Sequence, residues 1–595
     1  VNEQRDGTVP LHRAPADRPT VALAAERMSL ADLIARAGPG GTVTIPDGLT
    51  RGAAPVRVTA SVRLVSPTGA EVPDDIVVIG PAVLSLSGIT TTGVLTASPG
   101  ARLIARDCRF TATSGGTAVI GTGAGCALEL IECRFTGAEG SAVRLRSGAT
   151  ARLTECDFVS FQAPAVAVSD PATGVEVTDC RFTGMTGHAV LAEGGASARV
   201  AGCSFDGFLS ERWTAVIAVS AGSCVAVTGC RFGPMTAHGV FARGGSRARI
   251  DDCEFTGSAD LAAVSAMDDD SALEVADCRF TGITGRGVEV TDGATAGISD
   301  CDLQAAGDLA PVYAEGPGSA VSLAGCRISS SNALGVAAAG GAELDVRDSL
   351  LDCPGAGGLS GAVGLGRDGS RLRITGTCGL RGATLTVRGT LDHREAAAGA
   401  SVTLTTAASA PCPPCNGSGG RPGADLTACP RCGGRAAPGL VDASARPLDG
   451  SRHEWGSPCP DCHGSGLSST DPCPGCDGRG GPLRERTLQI NIPAGVQSGH
   501  TLIAAGHGGD GLGSGEPGDL HIVLSVADPP FRTVEEFFEK ALGVQVADGA
   551  ASGPAPTAGA PGVSPDEARR ELDEAVRREA IRLGYLPADG SDDGA

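Results

Sequence analysis

A five-residue phrase centred on cysteine returns through the first two thirds of the chain: RDCRF, IECRF, TECDF, TDCRF, AGCSF, TGCRF, DDCEF, ADCRF, SDCDL, AGCRI. Its cysteines are Cys108, Cys133, Cys156, Cys180, Cys203, Cys230, Cys253, Cys278, Cys301 and Cys326, separated by 25, 23, 24, 23, 27, 23, 25, 23 and 25 residues. A period of about 20 to 50 residues marks a solenoid, in which each repeat buries its apolar face only against its neighbours. Within one repeat, CRFTGMTGHAVLAEGGASARVAG, apolar and polar residues alternate in short runs separated by glycine turns. Alternation of period two is the mark of short strands buried on one face. Three such strands per repeat, with no helical stretch between them, predict a parallel β-helix whose coils stack roughly 4.8 Å apart. Equivalent residues then lie over one another, and the cysteines form an internal column of thiols, read here as core packing because a free thiol behaves as a small hydrophobe.

Composition agrees with a chain of many short strands: Gly 89 and only 3% aromatic residues. The net charge of -21 opposes a phosphate backbone, so nucleic acid is not an expected partner. There is no apolar run of about 18 residues and no apolar core of a signal peptide near the first residue, which predicts a cytoplasmic protein without a membrane partner. In that setting 22 cysteines read as buried thiols and metal ligands rather than disulfides.

The stretch SLADLIARAGPGGTVTIPDG reads as an amphipathic helix and a first strand that cover the open end of the solenoid. Helix and G-x-x-V-x-I-P-x-G strand together resemble the right-handed β-helix superfamily that includes pectate lyases, over about residues 28 to 377. The resemblance implies the fold and says little about activity. Three features invite a catalytic reading. Asp268, Asp269 and Asp270 are adjacent acids, read as a solvated turn. His188 and His238 share one repeat position two coils apart, roughly 10 Å, too far for a common metal, and read as a surface stack. Trp213 and Tyr313 are the only residues of their types in the solenoid, too few for a carbohydrate platform. Cys126, Cys224, Cys353 and Cys378 lie off the ladder and receive no role.

Beyond residue 410 the cysteines come in pairs: CPPCNGSG (Cys412, Cys415), CPRCGGRA (Cys429, Cys432), CPDCHGSG (Cys459, Cys462) and CPGCDGRG (Cys473, Cys476). A Cys-x-x-Cys turn lets two thiolates reach one tetrahedral ion, and the glycines that follow permit positive φ and aim amides at the sulfurs. Eight thiolates fill two closed four-sulfur sites, which makes two zinc ions structural rather than catalytic. Disulfides or a thioredoxin-like redox site are the other uses of such pairs.

The four units resemble the zinc-binding region of DnaJ-type co-chaperones. That resemblance implies that the first and fourth units share one zinc (Cys412, Cys415, Cys473, Cys476) and the second and third the other (Cys429, Cys432, Cys459, Cys462). The second unit departs from the pattern at Ala436, where the last glycine belongs, which implies a looser second site. GATLTVRGTLDHREAAAGASVTLTT before the first cysteine and RTLQINIPAGVQSGHTLIAAG with GDLHIVLSV after the last resemble the first client-binding β-domain of DnaJ. No His-Pro-Asp tripeptide occurs, so stimulation of ATP hydrolysis in a DnaK-type chaperone by a J-domain is not expected, and a β-helix stands in the J-domain's place.

The expected organisation is an N-terminal segment and capping helix (1–45), a right-handed parallel β-helix (46–377), a DnaJ-like β-domain (381–531) with the zinc module inserted at 410–482, a helix (532–546), a linker (547–563) and a C-terminal helix (564–584). The expected function is that of a non-enzymatic, co-chaperone-like scaffold. Its β-domain would bind unfolded or extended polypeptide, its solenoid would offer a protein-interaction surface, and docking on a DnaK-type heat shock protein stays open. The rival is a β-helix carbohydrate lyase or hydrolase with the zinc module as an accessory.

Overall fold

The computed structural model describes residues 29–527 apart from 113–115, 138, 209–212, 258–260, 331–333, 354–361, 367, 383–384, 434–438 and 443–458, and also Arg578. The expected helices and linker between 532 and 584 lie outside the described residues but for Arg578. The chain divides into two compact units, Val1–Leu350 with Asp368–Gly376, and Leu351–Arg367 with Thr377–Ala595.

The first unit is a parallel β-solenoid, opened by the helix Leu30–Ala37. Ser29 and Asp32 close a capping box at its N-terminus, and Leu30 is buried. The strand Thr42–Thr44 follows and pairs in parallel with Val62–Val65. Each later coil repeats one path. A five-residue strand such as Arg102–Arg106 leads through one bent residue and the ladder cysteine into a short strand, here Arg109–Ala112. A loop then delivers a third strand, Val119–Thr122, and a glycine turn starts the next coil at Ala127–Ile131. Strands pair in parallel with their equivalents one coil on, for example Leu103 with Leu128, Phe110 with Phe135, and Val119 with Val143, with a register shift between Phe280 and Ile283.

The bend before each cysteine rests on a single backbone conformation. Asp107, Glu132, Glu155, Asp179, Asp252, Asp277 and Asp300, and Asp348 before the equivalent Ser349, all have φ between 47 and 54°, and glycine stands at the other bends, as at Gly202 and Gly229. Only glycine, and at some cost short polar residues, enters this left-handed region readily, which is why the residue before cysteine is acidic or glycine throughout.

Packing follows from register. Phe110, Phe135, Phe158, Phe182, Phe205, Phe232, Phe255 and Phe280 form one internal stack with ring centroids 4.5–5.1 Å apart and planes within 6–8°. Leu303 and Ile328 continue the column. The low aromatic content therefore conceals a concentrated use: more than half of the 14 phenylalanines are buried in one file.

The cysteine column does more than fill space. At each bend the residue before cysteine and the residue after it stay in the inter-coil ladder, as in Asp107 N–H to Ile131 O at 3.1 Å and Arg134 N–H to Cys108 O at 2.9 Å. The cysteine's own N–H turns inward, where an unpaired donor is costly. The thiol of the next coil receives it: Cys156 to Cys180 Sγ at 3.3 Å, then Cys180 to Cys203, Cys203 to Cys230, Cys230 to Cys253, Cys253 to Cys278 and Cys278 to Cys301, each at 3.4 Å. Each thiol also donates to the carbonyl two residues earlier, as Cys253 does to Asp251 at 3.2 Å. Where the cysteines end, Ser349 Oγ takes the N–H of Cys326 at 3.0 Å, so the polar role outlasts the sulfur. The Cys253 thiol is pushed up to about 12, first by the Cys230 thiol beside it and then by burial, which keeps that rung protonated.

Replacing Cys203 by alanine removes the acceptor of the Cys180 N–H together with its packing, and should cost about 1–3 kcal/mol. Cys203→Ser, which keeps an acceptor, should cost less. Urea denaturation of the two variants checks the order, and an equal loss would reduce the column to simple packing.

Candidate metal centre

The second unit is built on two small sheets. In one, Leu385–Leu391 pairs in parallel with Leu520–Val526, which also pairs antiparallel with Thr501–Ala504. In the other, Ala400–Ser409 and Leu483–Ile492 run antiparallel through ten consecutive pairs, from Ala400 opposite Ile492 to Ser409 opposite Leu483. The link between Leu391 and Ala400 is a short helix, His393–Ala398, capped by Asp392 and Glu395. Leu391, Ala396, Ile490, Ile492, Leu520, Ile522 and Leu524 form the core that joins helix and sheets.

Because Ser409 and Leu483 face each other, the chain between them leaves and returns at one point. All four cysteine pairs lie in that excursion. Cys412, Cys415, Cys473 and Cys476 converge in one group and Cys429, Cys432, Cys459 and Cys462 in another, with the sulfurs of each group within 4.8 Å of one another. This is the grouping the sequence resemblance implies. Sulfur separations are 4.0 Å for Cys412 and Cys473, 3.7 Å for Cys415 and Cys476, 3.9 Å for Cys429 and Cys459 and 3.7 Å for Cys432 and Cys462. A tetrahedron with zinc–sulfur bonds of about 2.3 Å has edges of about 3.8 Å, so both groups have the size that zinc requires. The second group is as tight as the first. Ala436, on which its expected looseness rested, lies outside the described residues.

The backbone explains why the sulfurs point inward. Gly419 N–H reaches Cys415 Sγ at 3.4 Å and Gly466 N–H reaches Cys462 Sγ at 3.3 Å, donors that stabilise thiolate charge. Positive φ is required at Gly417, Gly464 and Gly478, and also at the residue before each of them: Asn416 (48°), His463 (46°) and Asp477 (53°). The sequence reading credited the glycines alone. The asparagine and aspartate in the "x" slot were the available sign, since these side chains tolerate the left-handed region. Knuckles one and four also lock reciprocally, Cys412 N–H to Gly480 O and Cys473 N–H to Gly419 O, each at 2.8 Å.

The solenoid residues that invited catalysis do other work. Asp268 accepts the Gly244 N–H at 3.0 Å across coils, with Arg243 Nε 3.7 Å away, and Asp170 serves Ser147 N–H in the same manner at 3.0 Å. The two histidines are half-buried and bound to the backbone rather than stacked on the surface. His188 Nδ1 takes the Thr214 N–H at 3.0 Å, His238 Nδ1 bonds Ala262 O at 2.8 Å, and burial lowers both pKa values. Cys126 is buried and donates to Ala97 O at 3.4 Å, Cys353 and Cys378 are buried, and Cys224 is exposed.

Among protein families, residues 117–264 and 214–364 match the right handed beta helix region, and residues 412–480 match the DnaJ central domain. Residues 412–480 are a DnaJ central domain. The DnaJ central domain brings with it the two-zinc reading of the two thiolate groups. Chaperone protein DnaJ 2 of Aromatoleum aromaticum is 39% identical over 153 residues, 26% of this chain and 39% of that protein. Chaperone protein DnaJ of Methylorubrum extorquens is 36% identical over 175 residues, 29% of this chain and 41% of that protein. The chain thus spans about two fifths of the length of these relatives. Among solved structures, the catalytic domain of a GH87 alpha-1,3-glucanase in complex with nigerose aligns over 62% of this chain and 70% of its own, at 9% identity and a TM-score of 0.28. The tailspike protein of E. coli bacteriophage HK620 aligns over 78% and 88%, at 10% identity and a TM-score of 0.27. Likeness this weak assigns no activity. No helix among the described residues is long and apolar enough to cross a membrane.

Cys473→Ser should lower bound zinc from two ions per chain to one, because the knuckle-one and knuckle-four group loses a ligand while the other keeps four. Elemental analysis of anaerobically purified protein checks this. A histidine buried as the neutral form contributes stability that is full above its unfolded value of about 6.5 and is lost as pH falls toward the lowered folded value. The Tm of the unaltered protein should therefore fall further between pH 7.5 and 5.5 than that of His238→Gln.

Proposed function

We propose that the second unit holds extended or partly unfolded polypeptide passively, without catalysing a reaction. The observation that carries this reading is the mounting of the DnaJ central domain. Its two exits are the paired ends of a ten-residue ribbon whose other end supplies Ile490 and Ile492 to the β-domain core. Zinc in the two groups, which can contribute about 10–16 kcal/mol of apparent binding energy in small peptides, would fix the ribbon and with it the sheet edges. Thr501–Ala504 is one such edge. It packs Leu502 and Ala504 inward and leaves Ile503 63% exposed. An extended peptide laid along that edge would gain main-chain hydrogen bonds, with an apolar side chain meeting Ile503. The similarity to DnaJ chaperones supports a chaperone-like module. Engagement of a DnaK-type partner and a cytoplasmic setting belong to the same proposal. The solenoid would then serve as an interaction surface rather than a polysaccharide cleft.

The test is suppression of aggregation of a chemically denatured reporter by the zinc-loaded protein. Suppression should be dose-dependent and should weaken several-fold in Ile503→Asp, whose zinc content stays at two. Failure of the folded, zinc-loaded protein to suppress aggregation would overturn the proposal.

A further inference from the structure

The five-residue strands of the solenoid form a sheet whose outer face carries one central column of side chains. In register, coil by coil, its central ten positions read Arg63, Ser85, Ile104, Glu129, Arg152, Glu176, Arg199, Ala226, Arg249, Glu274, with Thr42 before them and Gly297, Ser322, Asp345 and Arg373 after them. Arg152 bonds Glu176 at 2.9 Å, Arg249 approaches Glu274 at 3.6 Å and Glu129 meets Arg106 of the flanking row at 3.3 Å, whereas Arg63 and Arg199 make no ion pair among the described residues. The rows beside the column are mostly small: Ala127, Thr150, Gly174 and Ser197 on one side, Thr154, Thr178 and Ala201 on the other. A groove of ≈ 520 Å³ runs beside the column, bordered by Arg102, Glu129, Arg152, Glu176 and Arg199.

We propose that this face docks on the same face of a second copy of the chain, with the two solenoid axes antiparallel. The order of charges supplies the argument. A two-fold axis lying along the strands, between the coils of Arg152 and Glu176, sets Arg152 opposite the second copy's Glu176, Glu129 opposite Arg199, and Arg63 opposite Glu274. The remaining positions meet as Ile104 with Ala226 and Ser85 with Arg249. The column thus makes three kinds of opposite-charge contact, each occurring twice by symmetry, and no like-charge contact. A parallel arrangement would set each charge on its own copy. Such self-complementarity is what an isologous interface needs. Unpaired Arg199 gains a carboxylate, and the groove gives the facing side chains room to lie flat between small residues. Ten coils at about 4.8 Å and five residues at about 3.3 Å make a face of roughly 800 Å² per copy, about 1,600 Å² in all. That area lies within the range of stable, specific interfaces, about 1,200–2,000 Å².

Sedimentation velocity of the full chain, zinc-loaded and at low salt, is the test. The unaltered protein should show a monomer–dimer equilibrium that weakens as salt rises. Arg199→Glu places a carboxylate opposite Glu129 twice per dimer and should weaken association at least about tenfold. Glu129→Arg alone should do the same, and the double variant Glu129→Arg with Arg199→Glu should restore it. Circular dichroism confirms that each variant is folded, as expected for exposed positions. A protein that stays monomeric at every concentration overturns the proposal. So does a dimer indifferent to Arg199→Glu, or a double variant that remains as weak as the singles.

Discussion

In-register parallel stacking is the constraint on which the solenoid depends. Once equivalent residues must lie about one strand spacing apart, a side chain is chosen for how it tolerates its own copy above and below. Phenylalanine satisfies this by stacking, leucine and valine by dispersion, and a buried charge cannot satisfy it at all. Charges accordingly lie mostly on the outer faces and at the bends, where Asp107 and its equivalents occupy the left-handed conformation; the buried exception among the described residues, Asp74, takes the Gly52 N–H at 2.7 Å. The bend is the weak point of the scheme, because it turns one N–H per coil away from the ladder. Cysteine answers that problem with a group small enough for the core and polar enough to accept the bond, and Ser349 shows that the acceptor is what the position demands.

The same residue type serves a different end beyond residue 410, and backbone conformation separates the two uses. In the solenoid, one left-handed residue precedes each cysteine and its neighbouring thiols belong to other coils. In the knuckles, left-handed residues follow the second cysteine, curl the chain back and bring amides such as Gly419 N–H onto the sulfur. In the stacked column the thiols exchange hydrogen bonds with one another and with backbone groups of their own and neighbouring coils. Four thiols converging within 4.8 Å with amide donors aimed at them form a site that a divalent soft cation completes.

Much of this was legible in the sequence because periodicity and spacing are properties of the chain itself. The repeat of Cys108 to Cys326 gave the coil length, and four Cys-x-x-Cys units with trailing glycines gave the ligands. What the sequence did not disclose depends on which groups meet across coils. His188 and His238 read as a surface stack because their positions repeat, yet each is drawn inward by a backbone group of the following coil, Thr214 N–H and Ala262 O. The adjacent acids at Asp268 read correctly as a turn, but the amide that Asp268 captures belongs to a glycine 24 residues earlier. Low aromatic content was read as an absence, when its distribution into one stack was the informative feature.

The ribbon Ala400–Ser409 with Leu483–Ile492 links the thiolate groups to the core of the β-domain by a simple mechanical argument. The ribbon is the long pair of a three-stranded sheet whose third strand, Gly439–Asp442, reaches only Thr405–Ala407, so a hairpin that is marginal in water by itself depends on where its ends are anchored. One end here is fixed by Ile490 and Ile492 in the apolar core, and the other by the first and fourth knuckles, whose reciprocal bonds from Cys412 and Cys473 close the loop. Loss of metal from that group would free one end, and the register between the strands would then rest on the core residues alone. The inner pair of knuckles hangs farther along the excursion, joined to the outer pair through the short antiparallel pairing of Leu426–Ala428 with Leu467–Ser469. Its loss should leave those ribbon ends anchored. The two zinc groups, alike in sulfur spacing, therefore differ in leverage: the Cys412 group clamps the paired ends Ser409 and Leu483, and the Cys429 group brackets Gly439–Asp442, the third strand that pairs with Thr405–Ala407.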